Sequence, residues 1–385
     1  MPSATDPASA PPLPATEPIR FFLPGPAYVT EAARQAMTAP VVGHRSPTFK
    51  EVYGRLAAGL PPIFRTARDT PFATGSATLV MEMAVLNTVS SRVLSLVCGA
   101  FSERWHAISL ALGKRADRVD VPWGRAVDPD LVRRALRRVR AATGAGERGY
   151  DAVTVVHNET STGVVNPLAE IARAVREESD ALVLTDAVSS LGGIPVETDA
   201  WGLDWVLAGS QKALAAPPGL VPFTVSERAE ARAREVAPRG YYTDLIRYLD
   251  QHRKGGPITT PAVPVAYALD HQVRVIAREG LEARWARHER LRGRVDRWLE
   301  GRGGELGFAS APAAGVRSPT VSCLRPPADL PAPELVGRLA RAGFTLGGGY
   351  GAWKPDTFRI GHLGEVRESD LDALLEAIEE TARPS

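Results

Sequence analysis

From Phe21 to about residue 275 the chain alternates short, unbroken apolar runs with amphipathic stretches, and this alternation limits the folds open to it more than any other feature. The runs are RVLSLVCG (92–99), DAVTVVH (151–157), ALVLTD (181–186), DWVLAG (204–209) and LVPFTVS (220–226). Several are continuous and β-branched. A strand with one face in water alternates apolar with polar residues, whereas a strand covered on both faces does not. The stretches between them, such as 128–142 and 167–178, have the spacing of surface helices. Strand and helix in regular succession predict an α/β domain built on a large, mostly parallel sheet.

The pattern loosens further on. One long helix is expected from about Pro264 through EGLEARWARHERLRGRVDRWLEG, ending at the glycines of 301–304, with the Arg-rich stretch 284–297 as a solvated face. After it come a strand-like TVSCL (320–324), a helix at 332–342, a strand-like TFRI (357–360) and a closing helix at 368–382. This order suits a smaller α+β domain. The expected division is a leader at 1–18, a large domain at 19–279 and a small C-terminal domain at 280–385. A chain of 385 residues is long enough for two cores.

Charge excludes several partners. Forty-six basic against 44 acidic side chains leave a formal charge of +2, too little to draw the chain to nucleic acid or to a membrane surface. No apolar run has the length of a membrane span, and the leader MPSATDPASAPPLPATEP lacks the basic start and apolar stretch of a signal peptide. Rich in Pro, Ala, Ser and Thr, it reads as disordered. Cys98 and Cys323 form no disulfide framework and match no metal spacing, so a reducing cytoplasm is the expected location. The histidines show no HExxH or paired spacing, and no metal site is expected.

The residues that carry chemistry lie between 182 and 219. LVLTDAVSSLGG (182–193) and AGSQKALAAPPG (208–219) each place polar groups just beyond a buried strand, where open α/β sheets bind ligands. Asp186 closes one strand; Lys212 follows the next, on a stiff Ala-Pro-Pro-Gly loop. Taken singly, each reads better as an ordinary surface lysine or a helix-capping aspartate. Together they suit pyridoxal 5'-phosphate (PLP): the amine binds the cofactor aldehyde as a Schiff base, and the carboxylate keeps the ring nitrogen protonated so that the ring draws electrons. FATGSATLVMEMAVLNTV (72–89) offers a phosphate cradle, a Thr-Gly-Ser turn opening into a helix, although such a turn is also simply a good N-cap.

These segments resemble the class V aminotransferases of PLP fold-type I, in particular the alanine–glyoxylate and serine–glyoxylate (serine–pyruvate) aminotransferase group. The resemblance runs over nearly the whole chain after the leader, through FLPGPAYV, GHRSPTF, TGSATLVMEMA, FSERW, HNETSTGV, TDAVSSLGG, GSQKALAAPPG, EGLEARWARH and FRIGHLG in the family's order. It implies that Lys212 is the Schiff-base lysine and the base that moves the Cα proton. Asp186 would pair with the ring nitrogen, with Val188 packed on the ring and Phe101 stacked over it. Ser76, Ala77 and Thr78 would hold the phosphate with Gln211 beside them, and Ser161 would lie near the 3'-oxygen and the substrate carboxylate. Arg359 would clamp the α-carboxylate as a two-pronged fork, with the Gly25 backbone at the substrate mouth. The resemblance also implies a homodimer in which Thr260 reaches the partner's phosphate; a tyrosine expected at position 257 is Pro257 here.

The implied activity is ping-pong transfer of an amino group from a small L-amino acid, alanine or serine, to glyoxylate or pyruvate. The rival readings are a specialised transaminase or lyase of the same fold, acting on ureidoglycine or an aminophosphonate, and a non-catalytic binding subunit. Cysteine desulfurases share the fold class but place His before the lysine, where this chain has Gln211. Cys323, in a strand-like run, is expected to be a core residue.

Overall fold

The computed structural model describes residues 18–142 and 149–383, so the leader, apart from Pro18, lies outside the described residues. Each apolar run becomes a strand: Arg92–Val97, Ala152–Val156, Leu182–Asp186, Trp205–Leu207 and Leu220–Val225. With Phe72–Thr74 and Arg115–Asp120 they form a seven-stranded sheet. Across it the order is Phe72–Thr74, Leu220–Val225, Trp205–Leu207, Leu182–Asp186, Ala152–Val156, Arg92–Val97, Arg115–Asp120. Only Leu220–Val225 runs against its neighbours. Ala152–Val156, Leu182–Asp186 and Trp205–Leu207 are buried along their whole length, because helices cover both faces.

The order turns back at Arg92–Val97, which pairs with Arg115–Asp120 on one side and Ala152–Val156 on the other. The crossovers on either side of such a reversal leave a crevice at the carboxyl ends of the strands. Phe72–Thr74 points the same way as the parallel strands, so Gly75 and Ser76 come to that end too. At the opposite end a larger cavity, about 510 Å³, opens beside Tyr150 and Asp151. Two of the carboxylates that line it, Asp151 and Glu178, pair with Arg232 and Arg137.

The second sheet joins the C-terminal strands Ala309–Ser310, Val321–Arg325, Thr345–Gly348 and Phe358–Gly361 to the N-terminal Phe21–Phe22. Phe21–Phe22 runs parallel to Thr345–Gly348, and Ile19 and Phe22 are buried in the C-terminal core with Leu335, Leu371 and Ile378. The segment after Pro18 therefore ties the far end of the chain to the large domain. Among the described residues no helix is long and apolar enough to cross a membrane.

Two expectations are corrected. The long helix after Pro264 is two helices, Val263–Glu279 and Leu281–Glu300. Gly280, at φ +82°, donates its N–H to Ile276 to end the first, and its carbonyl accepts from Arg284 to begin the second. The Arg-rich stretch is not wholly solvated either. Arg284 is fully buried, held by Glu279 and Glu365, and donates to the Ala213 carbonyl at 2.8 Å. A buried guanidinium is tolerable only when paired in this way, and this one braces the loop that carries Lys212.

Candidate active site

Five strand ends deliver the site. Beyond Trp205–Leu207 the chain forms a tight loop around Lys212. Ser210 donates its hydroxyl to the Pro217 carbonyl at 2.6 Å, and Ala216 donates to the Ser210 carbonyl at 2.9 Å. Gln272 donates to the Ala215 carbonyl at 2.8 Å, and Ala215 itself sits at φ +54°. A non-glycine residue held in that left-handed region costs about 1–2 kcal/mol, which the surrounding bonds offset. The loop is rigid, and Lys212 projects from it into a cavity of about 290 Å³ lined also by Asp186, Ser76, Thr78, Phe101 and Arg104.

The Lys212 amine donates to the Pro24 carbonyl, in the turn that contains Gly25. At φ +138°, with no room for a Cβ that would overlap the lysine chain, Gly25 has to be glycine. Burial lowers the Lys212 amine to about 8; repulsion from Arg359 and Arg104 adds to this, while Asp186 opposes it. Asp186 is almost fully buried and accepts from the Val188 N–H at 2.8 Å. Burial raises its carboxyl to about 6, and the negative charge of Glu159 adds to the rise. A buried carboxylate with so little compensation suits a cationic partner. A protonated ring nitrogen is such a partner, so the residues fit PLP.

The start of the helix Ala77–Thr88 borders the same cavity. Ser76 caps the helix Ala77–Thr88, yet its hydroxyl makes no capping bond and is exposed. The first N–H groups of a helix have no partner within it, and they carry the positive end of its dipole. Gln211 and Val188 line the same cavity.

Phe101 begins the helix Ala100–Ala111 and stacks on Tyr350, with ring centroids 5.3 Å apart and planes tilted by 20°. The start of that helix is fixed by Glu159, which is completely buried. Its carboxylate accepts from the N–H of Phe101 at 3.2 Å, the N–H of Ser102 at 2.9 Å and the hydroxyl of Ser102 at 3.0 Å. It also accepts a hydrogen bond from the Ser161 hydroxyl at 2.5 Å, and Ser161 Oγ accepts from the Ala100 N–H at 3.0 Å. Ser161 is fully buried and, like Arg359 and Thr260, is not part of the cavity wall; its hydroxyl is engaged with Glu159.

Arg359 is 8% exposed and not part of the cavity wall. It donates to the Gly348 carbonyl at 2.9 Å and the Thr160 carbonyl at 3.3 Å, with its guanidinium 5.3 Å from the centre of the Tyr350 ring. Thr260 is exposed, shares a 3.2 Å hydrogen bond with His44, and is also absent from the cavity wall. His157 and His362 are buried, each lowered to about 4 by burial, and neither lines the cavity. Cys323 is buried in the strand Val321–Arg325, and burial raises its thiol to about 11, which makes it a poor nucleophile.

The structure adds residues that the sequence pattern did not single out: Glu159, Arg104, Tyr350 and Pro24. Glu159 and Arg104 stood inside HNETSTG and FSERW, so a charged residue within a recognised segment was the available signal. Tyr350, in a glycine-rich loop, and Pro24, acting through its carbonyl, had none.

The family model for class V aminotransferases matches residues 135–321. An aminotransferase of Methanocaldococcus jannaschii is 38% identical over 93% of this chain and 91% of its own length. The serine–glyoxylate aminotransferase of Methylorubrum extorquens is 30% identical over 91% of this chain and 88% of its own length. Among solved structures, the alanine–glyoxylate aminotransferase of a Nostoc species superposes with a TM-score of 0.86 at 29% identity, covering 99% of this chain and 100% of that one.

Proposed function

Since this chain belongs to the class V aminotransferases, we propose that it is a PLP-dependent transaminase moving the amino group of a small L-amino acid, alanine or serine, to glyoxylate or pyruvate. Relatives named for serine–glyoxylate and alanine–glyoxylate transfer support the choice of substrates. The observation that carries the reading is a buried lysine amine lowered to about 8, in one cavity with a buried carboxylate and an open helix N-terminus. Bound there, PLP supplies the electron sink at the donor's Cα and carries the amino group between the two half-reactions.

Lys212 would hold the cofactor, and its Nζ is the group placed to take the donor's Cα proton. With its amine lowered to about 8, enough of it is neutral near physiological pH to act as a base. Asp186 would hold the ring nitrogen protonated, more effectively for the low-polarity strand around it. Ser76, Ala77, Thr78 and Gln211 would hold the phosphate, Phe101 and Val188 would pack on the ring, and Ser161 would serve as an acceptor near it. Arg359, behind the cavity wall, would clamp the α-carboxylate with the N–H groups not given to Gly348 and Thr160, and Gly25 would leave the substrate room beside Lys212. Each half-reaction releases its product before the other substrate binds, so the kinetics are ping-pong.

We further propose the division at residues 279 and 280, the cytoplasm as location and a homodimer with Thr260 at the partner's phosphate. The central test is chemical labelling. Borohydride on the purified holoprotein should fix the cofactor to Lys212, and Lys212→Ala should exchange no amino groups. Label on Lys254 or Lys354 would overturn the assignment.

A further inference from the structure

One guanidinium lines the cavity. Arg104 lies one helical turn after Phe101, and its guanidinium stacks 4.8 Å from the centre of that ring. One arm is 3.5 Å from Thr78 Oγ1, in the first turn of the helix Ala77–Thr88, and the other is 3.3 Å from the Tyr350 hydroxyl. Both partners are neutral hydroxyls. Among the described residues no carboxylate pairs with Arg104, and its neighbour Glu103 turns instead to Arg118. Most arginines of known pairing in this chain do meet a carboxylate, as Arg55 meets Asp270 and Arg294 meets Glu368. A half-buried guanidinium kept on an aromatic platform with its charge uncompensated suits an anion that arrives from outside.

We propose that Arg104 is a side-chain ligand of the cofactor's phosphate group, which it binds together with the N–H groups at the start of the helix Ala77–Thr88. This rests on the PLP reading of the site. The contact with Thr78 favours phosphate over the other available anion, a distal carboxylate on the donor, because it places the guanidinium at the start of the helix Ala77–Thr88. Helix N–H groups and a guanidinium fork are complementary to the same oxygens. Pro257 offers no hydroxyl, and Arg104 supplies a stronger, charge-assisted donor from the same chain. The positive charge of Arg104 also acts on both Lys212 and Asp186, so the guanidinium is electrostatically part of the site.

The test compares PLP with pyridoxal, which has the same ring and aldehyde but no phosphate. Apoprotein of the wild type, Arg104→Gln and Arg104→Lys is titrated with each, and the melting temperature of each apoprotein checks the fold. Arg104→Gln should raise the dissociation constant for PLP at least about tenfold and leave that for pyridoxal within about twofold, with Arg104→Lys between, as loss of a charged hydrogen bond requires. Equal weakening of both ligands would reduce Arg104 to a support for Phe101 and overturn the proposal. So would unchanged PLP affinity with a raised KM for aspartate but not for alanine, which would assign the guanidinium to a donor carboxylate. Wild-type protein that takes up neither ligand would sink the reading of the site itself.

Discussion

Burial acts in opposite directions on the two central residues. It drives Lys212 toward its neutral amine and Asp186 toward its neutral acid, and each shift prepares the residue for a partner that brings charge. Asp186 therefore destabilises the protein without cofactor. A carboxyl raised to about 6 in the fold favours the folded state while protonated, and loses that advantage as pH rises through 6. Asp186→Asn removes the charge but keeps the shape. Its apoprotein should melt higher than the wild type at pH 7, and the difference should close by about pH 4. Turnover should move the other way and fall at least about a hundredfold, because an amide cannot hold the ring proton against the developing charge. Near-normal turnover would place the functional carboxylate elsewhere.

Among the elements, the turn at residues 23–26 is the most exacting. It hangs from the short strand Phe21–Phe22, reaches the carboxyl end of the large sheet and presents a carbonyl and a bare Cα to Lys212. Gly25→Ala places a methyl on the lysine chain and puts a residue with a side chain at φ +138°. The expected outcome is a loss of kcat/KM of at least about tenfold, with reduced cofactor uptake, and a stability cost of about 1–3 kcal/mol. Gly54→Ala, in the helix Pro47–Phe64 with open space around it, is the control and should leave activity unchanged while gaining a few tenths of a kcal/mol. Equal activity in the two variants would mean that the turn is not tied to Lys212 in solution.

At the scale of the whole molecule, the exposed Thr260–His44 pair lies off the cavity wall of its own chain. A two-fold axis would make its contribution to a partner's site reciprocal, and both sites would be completed at once. PLP should then stabilise the assembled form by mass action. Sedimentation at low protein concentration should show a dimer for the holoprotein and a larger monomer fraction after cofactor removal. A monomer with full PLP uptake and activity would leave Thr260 as a turn residue.

The sequence by itself determined what depends on neighbours along the chain. Continuous apolar runs became buried strands, all but Leu220–Val225 parallel, with Asp186 at the carboxyl end of one and Lys212 on the loop after another, because a strand end is a local event. Short or polar strands left no such trace. Phe72–Thr74 is too brief to show a period, and Arg115–Asp120 reads RADRVD because an edge strand paired on one side can stay charged. Only the tertiary structure decided which distant groups meet. It brought the donors of Phe101 and Ser102 to one buried Glu159 carboxylate, set Arg104 against Thr78 across two helices, and paired Phe21–Phe22 with a strand more than 320 residues later. The pKa shifts belong to the same class, since desolvation depends on everything packed around a group and on nothing that its own segment reveals.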